Sequence, residues 1–399
     1  MKLMRILILA WEYPPMLVGG LGRHVYGLSK AMAGAGHSVH IITTHVDGIP
    51  DYEYEHNVHI HRVKSSYEDR SHFDKWIAGL NEAMIQYAKG LCNRTSFDLI
   101  HAHDWLVYTA AKAIKYEQNL PIVATIHATE HGRNNGVHTS LQWEIHMKEK
   151  ELVKEAEMVI VCSQYMKREV QKILDVPLEK LVVFPNGIDA DFFEIPSSFL
   201  QSARQKYNLT NRTVAFSIGR IVSEKGFYTI IESAPALIHR FPHLVFIIAG
   251  KGPMLEEYRH IVSQRGLHDF VQFIGHISEE DQRAFLQESD LIVIPSLYEP
   301  FGIVALEGML AKKTIIVSDV GGLSEIVEHE QTGFKIMPGD AQSLICQITA
   351  VLNNEEGAKQ VALNGHKYVI KYYNWRTIAA HTAQIYERIT HKISNGEGL

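Results

Sequence analysis

Short apolar runs alternate with amphipathic helical patterns along the chain, and this alternation is the feature that most limits its fold. A buried strand, a helix and another buried strand in succession are typical of a parallel sheet. In the first half, helical patterns such as GRHVYGLSKAMAGAG separate several of the apolar runs. The strands predicted there are RILILA, SVHIIT, VHIHRV, DLIHA, PIVATIH and EMVIVCS. The first half therefore predicts one doubly wound α/β domain.

The alternation stops once and then starts again. The break, VFPNGIDADFFEIPSS, is rich in Pro, Asn, Gly and Asp, which is typical of a linker. Beyond it the predicted strands are TVAFSIG, LVFIIAG, VQFIGH, DLIVIPS and TIIVSDV. At 399 residues the chain is also too long for one ordinary core. We predict an α/β fold with two doubly wound Rossmann-like domains, 1–190 and 191–375, facing each other across a cleft.

The last segment, 376–399, carries a long amphipathic helical pattern. Such a helix needs an apolar surface to cover its apolar face. We expect it to be a separate C-terminal element that could pack back on the N-terminal domain, a point that the sequence alone does not decide.

Charge and cysteine usage exclude several classes of protein. A formal net charge of −6 argues against a broad nucleic-acid surface. The three cysteines are far apart and form no CxxC pair, which is typical of a reducing compartment. No apolar run reaches the 18 to 20 or so residues of a membrane span, and the N-terminal run predicts a first strand rather than a signal peptide. We expect a cytoplasmic protein; peripheral membrane association remains open.

A glycine-rich segment follows the first predicted strand. Gly19, Gly20 and Gly22 lie between a strand end and a helix start, where backbone N–H groups and the helix dipole favour a phosphate or sugar oxygen. The spacing is not GxGxxG, so a dinucleotide site fits poorly. The alternative is a turn that only packs the helix on the sheet.

Polar residues also follow two other strands of this domain. His127 ends the strand PIVATIH, which places it at the cleft edge; the alternative is a histidine whose hydrogen bonds are satisfied within the core. Glu130 and Arg133 come next and could reach an acceptor, as could Asp104 in HAHDWL. The HxHD pattern in that segment is also compatible with a metal, but no further ligands occur at a useful spacing. We therefore predict no metal site.

In the second domain, Arg220 and Lys225 follow the strand TVAFSIG. A guanidinium can bind two phosphate oxygens at once and an ammonium supplies a compact charge, so the pair suits a diphosphate. The alternative is ordinary solvation at the surface.

Two glutamates flank a helix start in EPFGIVALEG. Glu299 lies in the loop after the strand DLIVIPS, and the helix is predicted to begin near residue 301 or 302. Glu307 is then about five residues into the helix, roughly 8 Å along its axis. The first-turn N–H groups between them are available to an anion, and carboxylates accept well from vicinal hydroxyls. The predicted donor contacts therefore include Phe301, Gly302, Ile303 and Val304.

These motifs resemble those of glycosyltransferase family 4, which has the two-domain GT-B architecture. The resemblance covers essentially the whole chain. Its most specific part is EPFGIVALEGMLAKKTIIVSDVGGLSEIV, supported by GRIVSEKG, VFPNGID, TIHATEHGR and YPPMLVGGLGRHVYGLSKAM. The last two, with HAHDWL, are similar to glycogen and starch synthases and to bacterial α-1,4-glucosyltransferases.

The resemblance implies that the chain transfers a hexose, with glucose the first candidate, from a nucleotide diphosphate sugar held by the second domain. It also implies that the transfer needs no metal and retains the anomeric configuration. The donor would be UDP-glucose or ADP-glucose. The acceptor would be a carbohydrate or another hydroxyl compound bound on the side of the first domain. No further cofactor would be needed. By the family pattern, Glu299 would bind hydroxyls of the donor sugar and Glu307 would bind the ribose. Arg220 and Lys225 would bind the departing diphosphate, and His127 would contact the transferred sugar. Gly19 and Gly20 would belong to the glycine loop of the family.

One position departs from the family pattern. Bacterial glycogen and starch synthases carry a lysine two positions before the paired glycines, where this chain has Leu17. That difference argues against an ADP-glucose-dependent synthase of the same type. Two other functions remain open on this fold: a nucleotide-sugar epimerase, which needs no acceptor, and a non-catalytic coat or scaffold protein.

Overall fold

The structure is a computed structural model that describes residues 2–189, 192, 206, 207 and 209–394. The chain forms two compact units. Unit 1 comprises Met1–Gly187 and Trp375–Leu399, and unit 2 comprises Ile188–Asn374. The predicted domain boundary, at positions 190 and 191, lies outside the described residues.

Unit 1 is built on a sheet that, within the described ranges, has eight strands in the order β3-β4-β2-β1-β5-β6-β7-β8. All neighbouring strands are parallel except β3 and β4. The apolar runs become buried strands because helices cover both faces of a parallel sheet. The strands are β1 Arg5–Leu9, β2 Ser38–Thr44, β3 Tyr52–Glu55, β4 Val58–Val63, β5 Leu99–His103, β6 Ile122–Ile126, β7 Met158–Val161 and β8 Leu181–Val183.

The helices of unit 1 include one from the C-terminal end of the chain. They are α1 Gly20–Gly34, α2 Phe73–Cys92, α3 Tyr108–Gln118, α4 Glu130–Asn134, α5 Ser140–Glu155, α6 Gln164–Leu174 and the C-terminal Trp375–Ser394. The C-terminal helix packs against α1, and its apolar face belongs to the same core as β1. Trp375 lies so close to Gly27 that a Cβ atom there would be 2.2 Å from the indole ring. A glycine at position 27 is thus what permits this contact.

Unit 2 has a six-stranded, fully parallel sheet within the described part of the chain, in the order β11-β10-β9-β12-β13-β14. Its strands are β9 Thr213–Ile218, β10 Leu244–Ala249, β11 Val271–Gly275, β12 Leu291–Ile294, β13 Thr314–Ser318 and β14 Phe334–Ile336. Its helices are α7 Tyr228–Arg240, α8 Leu255–Gln264, α9 Glu279–Glu288, α10 Ile303–Leu310, α11 Leu323–Ile326, α12 Ala341–Asn353 and α13 Glu355–Tyr372. The prediction of two doubly wound α/β domains is confirmed.

Three of the four strands at the sheet edges, β3, β8 and β14, were not predicted from the sequence. β3 has the sequence YEYE and is largely exposed, while β8 and β14 have three residues each. An edge strand is paired on one side only, so neither its length nor its hydrophobicity has to match that of a central strand.

Candidate active site

The two sheets share a feature that locates binding sites. In unit 1, β1 lies between β2 and β5, and in unit 2, β9 lies between β10 and β12. The strand order reverses at these points, and open α/β sheets bind ligands there, outside the carboxyl ends of the strands. The predicted site residues follow β1, β5 and β6 in unit 1 and β9 and β12 in unit 2, so most of them lie at these edges.

In unit 2, a tight turn presents Lys225. A single 3-10 turn, Ser223–Lys225, follows β9 and ends at Gly226, whose φ is +63°. A Cβ atom at Gly226 would lie 2.0 Å from the carbonyl oxygen of Pro295, so the turn packs directly on the segment after β12. The carbonyl oxygen of Glu224 accepts N–H bonds from residues 297 and 298 of that segment. The two loops are thereby fixed to each other.

This packing brings Lys225 and Glu299 together. Lys225 Nζ lies 2.7 Å from Glu299 Oε2, and Ser296 Oγ donates to the same oxygen at 3.1 Å. The pair is largely removed from solvent, with side-chain exposures of 23% and 12%. No atom within the described ranges hydrogen-bonds to the other carboxylate oxygen of Glu299, which is therefore available to a ligand hydroxyl.

The second predicted cation, Arg220, also has a carboxylate partner. Its Nη2 atom lies 3.0 Å from Glu224 Oε1, and its side chain is 44% exposed. Partly exposed ion pairs of this kind are weak, about 1 kcal/mol or less. A doubly charged ligand can therefore compete with Glu224 for the guanidinium.

The helix between the two glutamates begins where the sequence predicted, to within one or two residues. α10 starts at Ile303, after Gly302 with a φ of +112°. Glu307 is its fifth residue and is buried, and Gln282 Nε2 of α9 donates to its carboxylate at 3.0 Å. Phe301 is buried against Tyr373, so only its main chain is placed to contact a ligand.

A second glycine pair supports this loop and was missed at the sequence level. Gly322 donates its N–H to the carbonyl oxygen of Glu299 at 2.8 Å. A Cβ atom at Gly321 would be 2.0 Å from that same oxygen, and one at Gly322 would be 2.4 Å from Phe301 Cα. The DVGG sequence after β13 was the available signal, since adjacent glycines often mark a close approach of two main-chain segments.

In unit 1, the glycine loop holds a carboxylate of the chain itself. Glu12 is buried, and its carboxylate accepts N–H bonds from Val18, from Gly19 at 3.1 Å and from Gly22 at 3.0 Å. Burial raises the pKa of Glu12, and the three N–H donors oppose that shift. The expectation that these N–H groups are free for a ligand is therefore wrong for Gly19 and Gly22, because Glu12 occupies the start of α1. Gly20 is the first residue of that helix.

His127 is held by residues that end β5. Its main-chain N–H donates to Asp104 Oδ1 at 2.7 Å, and its Nε2 lies 3.1 Å from His103 Nδ1. Asp104 is itself buried, which raises the pKa of its carboxyl to about 7, against the opposing effect of Arg133 and the His127 N–H. Asp104 thus holds the main chain of His127 in place. Contact between Asp104 and an acceptor stays a prediction.

The other two acceptor-side candidates lie on the short helix α4. Glu130 donates its main-chain N–H to Glu149 Oε1 at 2.8 Å, and its own carboxylate accepts from Asn134. The charge of Arg133 opposes the burial that raises the pKa values of Glu12, Asp104 and Glu149. Their part in acceptor binding also stays a prediction.

The structure brings together three histidines that are far apart in sequence. Nitrogen atoms of His24, His103 and His127 lie within 4.8 Å of one another. The prediction of no metal site was based on the spacing around HAHDWL, and that spacing could not include His24, which lies on α1. A grouping of possible ligands is therefore present in unit 1.

Comparisons with known proteins identify the family of the chain. The profile of the family Glycosyltransferase Family 4 matches residues 18–192, and that of Glycosyl transferases group 1 matches residues 201–386. An uncharacterized glycosyltransferase of Methanocaldococcus jannaschii is 33% identical, with 96% of this chain and 98% of the relative covered. A glycogen synthase of Mycobacterium tuberculosis is 34% identical over 96% of this chain and 94% of its own length.

The chain belongs to glycosyltransferase family 4.

Solved structures show that this glycosyltransferase has the GT-B fold. A sucrose-phosphate synthase from Thermosynechococcus elongatus superposes with a TM-score of 0.82 at 25% identity, covering 97% of this chain and 99% of the other. The catalytic domain of Arabidopsis thaliana starch synthase IV, at 19% identity, superposes with a TM-score of 0.77 and covers 98% of this chain and all of its own. Among the helices that the structure describes, none has the length and apolar character needed to cross a membrane.

The buried acid Glu149 makes the stability of this glycosyltransferase depend on pH. Burial raises the pKa of its carboxyl to about 8, reinforced by the charges of Asp104 and Glu130 and opposed by the Glu130 N–H bond and Arg133. The folded chain therefore keeps a proton that the unfolded chain releases from about pH 4.5 upward. The contribution of Glu149 to the free energy of unfolding therefore falls as the pH rises toward 8, by at most about 4 kcal/mol.

Glu149→Gln removes this titration. We expect the free energy of unfolding of the variant, relative to the original chain, to increase by about 1–3 kcal/mol between pH 5.5 and pH 8. Urea denaturation at the two pH values measures the difference. Glu144→Gln, an exposed change on the same helix, should show no such trend. Parallel stability curves for the original chain and Glu149→Gln would contradict the assignment.

Proposed function

We propose that this glycosyltransferase moves a hexose, with glucose the first candidate, from a nucleotide diphosphate sugar to a hydroxyl acceptor with retention of configuration. The observation that carries the proposal lies in unit 2. At the strand-order reversal, Lys225 and Glu299 meet at 2.7 Å beside the start of α10. This edge offers positive charge for a diphosphate next to a carboxylate for sugar hydroxyls.

Ligands of related structures support a nucleotide-sugar donor. Anabaena HepE has been solved with UDP, with UDP and glucose, and with UDP-glucose, and the Arabidopsis starch synthase with ADP and acarbose. The glycogen synthase among the relatives is the support for glucose. We propose UDP-glucose or ADP-glucose as the donor and a carbohydrate as the first acceptor class to test.

Leaving-group stabilisation is the main proposed source of catalysis. As the anomeric bond breaks, negative charge grows on the diphosphate. Lys225 and Arg220 would neutralise that charge, together with the main-chain N–H groups of Ile303 and Val304 at the start of α10. Binding of the diphosphate would displace the ion pairs with Glu299 and Glu224 and leave Glu299 free to accept hydroxyls of the donor sugar.

Retention then requires the acceptor to approach the face that the diphosphate leaves. A diphosphate oxygen would take the acceptor proton as the new bond forms. A double displacement would instead need a carboxylate on the opposite face. Asp104 is an acid close to His127, but it is buried and bonded to the His127 N–H, which fits it poorly for attack on a sugar.

His127 is proposed to hydrogen-bond the transferred sugar. Burial lowers the pKa of its imidazole well below the usual range, and the neighbouring His24, His101 and Arg133 add to this. The ring is therefore neutral at physiological pH and can exchange hydrogen bonds with a hydroxyl without adding charge near the developing cationic sugar. Asp104 and His103 would hold it in place.

Metal-independent transfer is part of the proposal, because Arg220 and Lys225 supply the positive charge that a divalent ion supplies elsewhere. Turnover should then continue in excess EDTA. A rate that is lost in EDTA and restored by Mg²⁺ or Mn²⁺ would contradict this part.

The test of the whole proposal is a screen of UDP-, ADP- and GDP-sugars with and without malto-oligosaccharide acceptors. Proton NMR of the product reads the anomeric configuration. We expect an α-linked product from an α-linked donor. An epimerised sugar nucleotide formed from donor alone, without any glycosylated product, would favour the epimerase. Absence of both donor binding and turnover would favour the scaffold.

Glu307 is expected to act mainly in donor binding. Glu307→Ala removes a buried acceptor of hydrogen bonds from the ribose and leaves the Gln282 amide without this partner. We expect KM for the donor to rise by about 10- to 100-fold, with a smaller change in kcat. Steady-state kinetics and calorimetric donor titration measure the effect. Glu280→Ala, at an exposed position, is the control; an unchanged donor Kd in Glu307→Ala would refute the assignment.

A further inference from the structure

Three imidazoles, two buried and one partly buried, meet at the carboxyl edge of the unit 1 sheet. His24 comes from α1, His103 from the end of β5, and His127 follows β6. Their ring centroids are 4.9 Å apart for His24 and His127 and 5.4 Å apart for the other two pairs. The proposed function uses His127, with His103 holding it in place, and gives no role to His24.

Two of these rings bury a nitrogen atom that has no partner. His24 Nε2 and His103 Nε2 are shielded from solvent and make no hydrogen bond with the residues that the structure describes. Burying a polar atom without a partner is costly, about 1–3 kcal/mol. Such atoms call for a ligand, and His24 Nε2, which is grouped with two other imidazoles, indicates a bound ion.

The hydrogen bond on the other side of His24 fixes its tautomer. Its Nδ1 lies 2.6 Å from Asn186 Oδ1. With the amide oxygen as acceptor, His24 Nδ1 carries the proton and Nε2 carries a free lone pair. A metal-bound histidine usually donates its second N–H to an oxygen in this way, which orients the ring toward the ion.

The distances suit a small tetrahedral ion after a modest adjustment. Two imidazole nitrogens bound to zinc at about 2.0–2.1 Å lie roughly 3.3 Å apart in tetrahedral geometry. His103 Nδ1 and His127 Nε2 are 3.1 Å apart. The third nitrogen, within 4.8 Å of the others, has to move closer.

The chemistry of the ligand atoms also suits such an ion. Three imidazoles form a nitrogen-only set of ligands, which selects zinc, nickel and copper over magnesium and calcium. The hydrogen bond between His103 Nδ1 and His127 Nε2 requires a proton on one of these two nitrogens, and a bound ion would replace that proton.

We propose that His24, His103 and His127 form a binding site for a divalent transition-metal ion such as Zn²⁺, and that occupancy inhibits sugar transfer by withdrawing His127 from the substrate. The second half of this inference rests on the proposed function; the binding site does not. The ion takes no part in the reaction, so EDTA leaves the transfer rate unchanged or raises it.

Binding is tested first, without reference to activity. EDTA-treated full-length protein is titrated with ZnCl₂ by calorimetry. We expect one tight site, weakened by roughly 100-fold in His24→Gln or His103→Gln and by about 10- to 100-fold in Asn186→Ala, which removes the partner that orients His24. His268→Gln changes an exposed histidine and should bind as the original chain does.

A second measurement does not depend on whether the buried variants fold. Crystals of the original chain soaked in ZnCl₂ should give an anomalous peak among the three imidazoles. A peak only at Cys92, Cys162, Cys346 or surface histidines, or a stoichiometry unaffected in well-folded His24→Gln, would overturn the site.

Inhibition is then measured on the transfer reaction. In the original chain, Zn²⁺ should inhibit transfer at the concentration at which it binds. In His24→Gln, each rate is compared with the zinc-free rate of the same variant, and inhibition should need roughly 100-fold more Zn²⁺. Zinc binding with undiminished transfer would overturn the inhibitory role alone. Zinc binding by a chain that transfers no sugar would contradict the proposed function and leave the metal site in place.

Discussion

Replacing Lys225 with alanine is expected to lower kcat by about 100- to 1000-fold, equivalent to about 3–4 kcal/mol of barrier. The ammonium lies in a turn that is anchored to the loop of Glu299, and it is only 23% exposed. In the proposed reaction its charge would therefore act on the leaving diphosphate at short range and with little screening by solvent. KM for the donor should change less than kcat, since the charge of the diphosphate is greatest as the bond breaks.

Controls separate this effect from a general loss of charge. Lys359→Ala removes an exposed lysine of the same unit and should leave kcat unchanged. Arg220→Ala should also lower kcat, by about 2–4 kcal/mol of barrier. Kinetics of Lys225→Ala that match those of the original chain would refute the leaving-group assignment.

Replacing Glu299 with glutamine is expected to lower kcat/KM by about 100- to 1000-fold as well. The change keeps the shape of the side chain but removes the negative charge that holds Lys225 and that is proposed to accept hydrogen bonds from sugar hydroxyls. An amide also presents one acceptor atom in place of two. Donor-dependent turnover measures the loss, and thermal unfolding verifies that the variant folds.

The same pair offers a test by double substitution. Because Lys225 and Glu299 are in contact, the effects of Lys225→Ala and Glu299→Gln should not add; the double variant should lose at least 1 kcal/mol less than their sum. Glu328→Gln, at an exposed position of unit 2, is the matched control and should add independently to either change. Full additivity of the first pair would show that the two side chains do not act together.

Much of the unit 2 site could be predicted because it is local in sequence. Glu299, Gly302 and Glu307 are fixed relative to one another by one strand, one loop and one helix, and the helix rise alone gives their separation. The position of Lys225 opposite them follows from the rule that parallel strands carry their loops on one edge.

The contacts that complete these sites could not be predicted in the same way. Gln282 on α9 bonds to Glu307, and Glu12 occupies the start of α1. Both side chains come from segments whose patterns indicate only a helix or the end of a strand. Whether a carboxylate fills a helix N-terminus or leaves it to a ligand depends on the path of a loop, and periodicity does not specify that path.

The sequence by itself determined the fold class, the family resemblance and which residues of unit 2 are candidates for donor binding, because strand and helix periods, glycine positions and short-range spacing are properties of neighbouring residues. Only the tertiary structure decided where the C-terminal helix packs, which carboxylate occupies the glycine loop, and that His24 joins His103 and His127. Each of these depends on contacts between residues that are distant along the chain. Such contacts are selected by packing and by the cost of leaving buried polar groups without partners.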